Sequence, residues 1–420
     1  MENKVYMCID LKSFYASVEC ASRGLDPFET DLVVADPTRG PGALCLAVSP
    51  ALKEKGVRNR CRLYEIPSKF KFIIAPPHMR MYMEVSADIY KTYLKYFAKE
   101  DVYAYSIDEC FIHVTPYLSL YRRDGLGIAQ MAMDAVYKRT GICATAGVGT
   151  NLFLAKIGMD ILAKHLPTHI AYLDEALFRE KMWHHRPITD VWNIGGGIAA
   201  RLAKYGAYDL HGITLLPEKL LYREFGVNAE YLIDHAWGRE SCTIADIHAY
   251  RPGGRSLSNG QVLFEDYTYE DAALLVFEMA ETLIQQLLDE HLVTKGISLY
   301  VGYSGRPRMG SAGTRRLPAW TDVPEDIWKA FDKLYEEKVV PGLGIRTINL
   351  SVNDVVPAGS VPRYFSLFRP EAAEEKQKNV ERVMIEVKKK FGKNALLRGI
   401  DYLPKATLRK RNTLIGGHHE

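Results

Sequence analysis

The chain has 420 residues, with 54 Lys and Arg against 51 Asp and Glu, a formal net charge of +3. It is 47% hydrophobic and 25% charged, which excludes a disordered chain, a collagen-like repeat and a disulfide-stapled mini-protein. Its length suggests about two to four domains, and the near-balance of charge argues against a strongly basic nucleic-acid binder.

Residues 4–10 are a short apolar run ending in an acid, which predicts a buried strand. Ser13 stands where it can cap a helix in which Phe14, Ser17, Val18 and Ala21 recur at helical spacing. Apolar runs at 32–35 and 43–48 flank a Pro/Gly turn at 37–41, and Pro50 opens a short helix that Gly56 stops. Residues 102–114 alternate on both sides of an acidic tip, Ser106-Ile107-Asp108-Glu109, predicting two strands that meet near a turn. A helical period at 126–139 and a strand-like run at 143–148 complete a split βαββαβ order, the ferredoxin-like arrangement, with 21–77 inserted as a small subdomain.

From 187 to 235 the pattern is one of short helices with turns, clearest at 188–205, and the Gly/Arg-rich stretch 251–255 reads as a linker. The βαββαβ order then returns: strands at 256–264, 296–303, 314–317 and 346–352, with helices at 270–290 and 324–337. A Pro/Gly break, an aromatic run, a charged helix at 371–391 and a basic tail follow.

The seven cysteines include no C-x-x-C pair, which argues against a zinc site or a disulfide framework. Cys8 and Cys45 lie in apolar runs, where a reduced cysteine packs as a small hydrophobe. The N-terminus lacks the shape of a signal peptide, and no apolar stretch approaches the ~20 residues needed to span a bilayer, so a cytoplasmic protein without membrane contact is expected.

Asp10 ends the first strand, and Asp108 and Glu109 sit at the tip of the central hairpin. In a βαββαβ sheet the first and third strands are neighbours, so the three carboxylates can converge. Clustered carboxylates are costly unless a cation neutralises them. Oxygen ligands with few histidines nearby point to Mg²⁺ rather than Zn²⁺. Adjacent strand residues point to opposite faces, so Asp108 and Glu109 share a site only if the strand ends there. Spacing alone fits a solvated acidic turn equally well.

The residues around these acids carry a resemblance. Asp10-Leu11-Lys12-Ser13-Phe14-Tyr15-Ala16-Ser17-Val18-Glu19 resembles the D-x-x-x-F-[FY]-A-x-V-E signature of Y-family (translesion, UmuC-type) DNA polymerases. Tyr105-Ser106-Ile107-Asp108-Glu109 resembles their Y-S-I-D-E motif. Gly147-Val148-Gly149, followed by Leu154-Ala155-Lys156 and Ala163-Lys164, resembles their G-[IV]-[GAS]-x-N-[KL]-x-x-A-K-x-A-x-x-x-A-K block. The likeness extends to about residue 400.

The resemblance implies an α+β right-hand polymerase. It would have a ferredoxin-like palm (1–20 and 78–166), small fingers (21–77), a helical thumb with a helix-hairpin-helix (167–245), a βαββαβ little finger (246–360) and a clamp-binding, basic tail (361–420). Two Mg²⁺ ions, with Mn²⁺ as a substitute, would be held by Asp10, Asp108, Glu109 and the carbonyl of Leu11. Tyr15 falls on the steric-gate position that excludes a ribose 2′-hydroxyl, and Phe14 lines the nucleotide pocket through its backbone. Lys53 and Lys164 fall on positions that grip the triphosphate. Pro50 stands where many members carry a phosphate-bonding Tyr, and Lys164-His165-Leu166-Pro167 departs from the family's Lys-Pro-Asn-Gly.

Gly195 and Gly197 resemble a helix-hairpin-helix loop whose N–H groups meet a DNA phosphate. Arg255, Arg306, Arg308, Arg315 and Arg316 would line a DNA-facing sheet. Tyr364-Phe365-Ser366-Leu367-Phe368 resembles the Q-L-x-L-F peptide that docks on a sliding clamp, with Phe365, Leu367 and Phe368 as anchors.

The activity implied is error-prone, template-directed DNA synthesis past damaged bases within an SOS response. The partners are primer-template DNA, deoxynucleoside triphosphates and a sliding clamp, for a monomer. The intact acids disfavour an inactive accessory member, and the second βαββαβ unit disfavours a nucleotide cyclase. The net charge of +3 then reads as segregated, with an acidic catalytic region set against basic loops and a tail carrying Lys388, Lys389, Lys390, Lys393, Arg398, Lys405, Arg409, Lys410 and Arg411.

Overall fold

The structure, a computed structural model, describes residues 4–252, 254–305, 309–362 and 370–419. It divides into two compact units, Met1–Tyr250 and Arg251–Glu420. Helices and sheets are mixed as α+β, and among the described residues no helix is long and apolar enough to cross a membrane.

The first unit begins with β1 (Tyr6–Leu11) and α1 (Phe14–Ser22). A small three-stranded sheet follows, built from β2 (Leu32–Val34), β3 (Ala47–Val48) and β4 (Ile73–Ala75), with α2 (Pro50–Glu54) between the last two. It has its own core of Val33, Cys45, Val48 and Leu52. Then come α3 (Met79–Tyr93), β5 (Val102–Ala104), β6 (Glu109–His113), α4 (Tyr117–Tyr121), α5 (Gly125–Thr140), β7 (Ala144–Gly149), α6 (Leu152–Ile157) and β8 (Ile170–Leu173).

The main sheet runs β5-β6-β1-β7-β8. Its fifth strand, β8, pairs parallel with β7 through Ala146–Ile170 and lies beyond residue 166, so the sheet is longer than the βαββαβ pattern predicts. The 15-residue α3 also lacked a sequence expectation; Tyr82, Ile89, Thr92 and Tyr93 are the residues it buries.

Strand parity in β1 sorts the chemistry. Met7, Ile9 and Leu11 join the large core with Tyr82, Ile89, Ile128 and Val136 of α3 and α5. Tyr6 and Cys8 face the other way and pack with Leu152, Ala155 and Met159. Asp10 shares that second parity, so its side chain is on the α6 side of the sheet. Short helices complete the unit: α7 (Glu175–Lys181), α8 (Gly196–Ala203), α9 (Leu210–Thr214), α10 (Glu218–Phe225), α11 (Ala229–Ala236) and α12 (Ile244–Ala249).

The second unit is an antiparallel sheet in the order β11-β10-β12-β9, formed by β9 (Leu257–Tyr267), β10 (Leu292–Tyr303), β11 (Gly310–Thr321) and β12 (Ile345–Asn353). The helices α13 (Tyr269–Asp289) and α14 (Pro324–Lys338) cover one face over Ile297, Leu299, Val301, Ile348 and Leu350. The other face carries Ser258, Val262, Ser298, Tyr300 and Thr314, with Val262 71% exposed.

The charged helix expected at 371–391 is present, and the basic residues around it meet acidic partners. The helix α15 (Glu371–Phe391) packs on α13 through polar groups. Glu281 and Glu381, each 1% exposed, share Arg398 and Gln285. Lys388 lies 3.6 Å from Glu281, Lys389 pairs with Asp289, and Lys405 is 2.7 Å from Glu265. Lys388, Lys389, Arg398 and Lys405 of the tail are therefore paired with acids of their own unit.

Candidate active site

The antiparallel pairing of β1 with β6 sets Asp10 directly opposite Glu109. Residues opposite each other across a ladder share a face, so both carboxylates are on the α6 side. Asp108 precedes β6 in a turn, where its carbonyl accepts from Leu11 N–H at 3.0 Å and Ser106 Oγ donates to its carboxylate at 2.7 Å. Because the strand starts only at Glu109, the parity conflict between the two adjacent acids does not arise.

Beyond β1 the chain is held by both neighbours, since Lys12 N–H donates to Cys143 O at 2.9 Å. Ser13 takes left-handed angles (φ 49, ψ 44) and makes no side-chain cap, contrary to the sequence expectation. Its hydroxyl instead receives Lys53 Nζ at 2.8 Å. Lys53 is brought there by α2, which Pro50 opens at the first helical position and Ser49 caps.

These elements enclose a cleft of about 710 Å³ lined by Asp10, Leu11, Phe14, Tyr15, Pro50, Lys53, Asp108 and Lys164. Every catalytic or nucleotide-binding residue expected from the sequence lines it, except Glu109, which stands across the ladder from Asp10. Lys12, Phe28, Asn59 and Arg60 line it too, and sequence reasoning missed them. Pro50 presents no donor there, as its position in the sequence foretold.

Burial is the main cause that pushes the Asp10 carboxyl up to about 7; Lys164 pulls against it, while Asp108 and Glu109 add to it. Burial also lowers the Lys53 ammonium, which Asp10 partly offsets. The donor set is three convergent carboxylates, without histidine, and one of them is held uneasily as an anion. A divalent cation bound by oxygen fits this set and would relieve it.

The sequence also missed Lys156. It is 5% exposed, contacts Glu109 and lies 2.8 Å from Asp160. Burial disfavours its ammonium, but Cys8, Asp160 and Glu109 outweigh that and hold its pKa raised. Its position follows from glycines in β7: a Cβ at Gly147 would stand 2.0 Å from Ala155 O, and one at Gly149 would stand 2.5 Å from Ala155 N. Only bare backbone lets α6 sit this close to the strand.

Seven residues separate Lys156 from Lys164, one more than in the block that this segment resembles. The extra residue is taken up by a π-helical turn, Gly158–Leu162. Lys164 still lines the cleft, with Asp160 3.3 Å from its Nζ.

Tyr15 is half-buried at the edge of the core that holds Phe14 and Val18, and its ring stacks on Tyr82 at 4.4 Å and 16°. Tyr82 donates to Glu19 at 2.5 Å, and Glu19, fully buried, also meets Arg23 and His78. Gly195 and Gly197 begin α8, and a Cβ at either would meet nothing within 4 Å, so this helix start is open.

Register separates the arginines of the second unit. Arg315 lies opposite Ile297, a core residue, and bonds Glu337 of α14 at 2.5 Å. Arg316 lies opposite Gly296 and shares the open face with Thr314. Arg255 pairs with Glu290. The sequence grouped all three on one DNA-facing surface; only Arg316 is on the open face of the sheet. Arg306, Arg308 and the docking peptide with Phe365, Leu367 and Phe368 lie outside the described residues.

Residues 9–160 match the impB/mucB/samB family, and residues 255–363 match the impB/mucB/samB family C-terminal domain. The putative UV-damage repair protein UvrX of Bacillus subtilis (strain 168) is 30% identical over 99% of this chain and 97% of its own. DNA polymerase IV 2 of the same organism is 27% identical over the full length of both. Among solved structures, the Y-family DNA polymerase chimera Dbh-Dpo4(243-245)-Dbh matches with a TM-score of 0.64 and 17% identity, covering 84% of this chain and 99% of that one. The chain belongs to the impB/mucB/samB family, the Y-family DNA polymerases.

Proposed function

We propose that the chain is an error-prone translesion polymerase that extends a DNA primer past damaged template bases by two-metal-ion nucleotidyl transfer. The observation that carries this is the convergence of Asp10, Asp108 and Glu109 beside a cleft whose other lining includes Lys53 and Lys164. Two Mg²⁺ ions held by these acids and the Leu11 carbonyl would activate the primer 3′-hydroxyl and neutralise charge on the triphosphate.

The protein's own groups supply position and field. Lys53 and Lys164 hold the triphosphate and stabilise charge on the departing pyrophosphate. Tyr15 supports the sugar, and Phe14 borders it through backbone. The fingers insertion is a three-stranded sheet with a small core, too slight to close over a base pair as a long lid would. Weak shape selection, and so low fidelity, follows from that openness. Primer extension with Mg²⁺ on intact and lesion-bearing templates tests the proposal, and failure on both sinks it.

The open sheet face of the second unit tracks the DNA backbone through Arg316. Arg316→Ala is expected to lower the slope of log affinity against log salt by about one, since one phosphate contact is lost. Arg315→Ala should leave that slope unchanged and lower the melting temperature instead, because it breaks the pair with Glu337. Equal slopes for both variants would remove Arg316 from DNA. Docking on a sliding clamp through residues 364–368 belongs to the same reading. Leu367→Ala with Phe368→Ala should abolish clamp pull-down, and retained capture would discard the peptide.

A further inference from the structure

We infer that Lys156 is an internal counter-ion that holds a divalent cation's place beside Glu109, and that Asp160 is its second berth, receiving the ammonium when a cation arrives. Lys156 Nζ meets Oε1 of Glu109 on one side and Oδ2 of Asp160, at 2.8 Å, on the other. At 5% exposure the ammonium has little water to fall back on, and a buried charge without a partner is strongly disfavoured. A cation taking the Glu109 carboxylate repels the ammonium. With Asp160 one helical turn away, Lys156 keeps an anionic partner throughout.

The backbone is built for this. The bare strand at Gly147 and Gly149 admits α6 close enough for Lys156 to reach Glu109. The π turn at Gly158–Leu162 contains Asp160, whose other oxygen is 3.3 Å from Lys164. Neither Lys156 nor Asp160 lines the cleft, so both are positioning residues. The inference rests on the reading of Asp10, Asp108 and Glu109 as metal ligands.

Mn²⁺ binding to the DNA-free protein, followed by electron paramagnetic resonance of the free ion, tests it without turnover. Lys156→Gln removes the competitor and is expected to tighten Mn²⁺ binding by about three- to tenfold. Asp160→Asn leaves the ammonium nowhere else to go and should weaken binding by a similar factor. In the Lys156→Gln background, Asp160→Asn should lose most of that effect, since no ammonium remains to be rehoused. Lys156→Arg, which keeps the charge, should bind as wild type does.

Circular dichroism confirms folding, with Lys156→Met as the substitute if the Gln variant does not fold. The inference is overturned if both single substitutions shift affinity the same way, or if the Asp160→Asn effect persists undiminished in the double variant. Asp108→Ala is the separate control: Mn²⁺ binding undiminished there would bring down the metal-site reading itself, and the counter-ion with it.

Discussion

Asp108→Ala and Asp10→Asn are each expected to reduce primer extension by about a thousandfold or more, roughly 4 kcal/mol of transition-state stabilisation. The two should differ in what they do to the folded protein. Asp10 has its folded pKa at about 7, above its ordinary 3.8, chiefly through burial. The folded state therefore holds this proton more tightly than the unfolded one. In metal-free protein the stability tied to it is full below about pH 4, falls as pH rises, and is lost above about 7. Asparagine carries no such penalty. Asp10→Asn should thus melt higher than wild type at pH 8 in EDTA, by roughly 5 °C, while being inactive. Added Mg²⁺ should raise the melting temperature of wild type and leave the variant nearly unmoved. A variant less stable than wild type in EDTA would show that burial does not penalise the Asp10 carboxylate in the folded protein.

The second large effect is on sugar selection. Tyr15→Ala is expected to raise ribonucleotide incorporation relative to deoxyribonucleotide by about a hundred- to a thousandfold, roughly 3–4 kcal/mol. A gate discriminates only if it cannot retreat. Tyr15 is backed by Tyr82 at 4.4 Å, and Tyr82 is tied to the buried Glu19. Forcing an extra hydroxyl against a ring so supported costs strain in packing that cannot relax. Tyr15→Phe keeps the ring and should keep the discrimination. Single-nucleotide incorporation with matched ribo- and deoxyribonucleotides measures both, and unchanged selectivity in Tyr15→Ala would remove Tyr15 from this role.

Much of the cleft was legible because its residues lie in short, ordered motifs. Asp10, Asp108 and Glu109 stood out as acids at strand ends, and resemblance gave them partners. What was not legible depends on packing between distant segments. Lys156 was in plain view inside the Leu154-Ala155-Lys156 block, yet only the parity of β1 and the bare glycines of β7 put it beside Glu109. Ser13 has a helix-capping composition, but it follows a segment that Leu11 and Lys12 tie to Asp108 and Cys143, and there it takes a left-handed turn. The arginines looked alike in sequence, and only register with Ile297 and Gly296 told Arg315 from Arg316. The tail's ion pairs were hidden for the same reason: its acidic partners, Glu265, Glu281 and Asp289, are about a hundred residues or more earlier in the chain.

The π turn between Lys156 and Lys164 shows where this molecule can vary in length. A helix widened over one turn takes in an added residue and still delivers the next lysine to the cleft. The strands beside it have no such slack. One residue gained or lost within β1 would turn Asp10 to the α3 and α5 side and send a core residue toward Lys156. Descendants of this chain can therefore lengthen or shorten the helical rim of the site, while the spacing within the sheet beneath it must stay fixed.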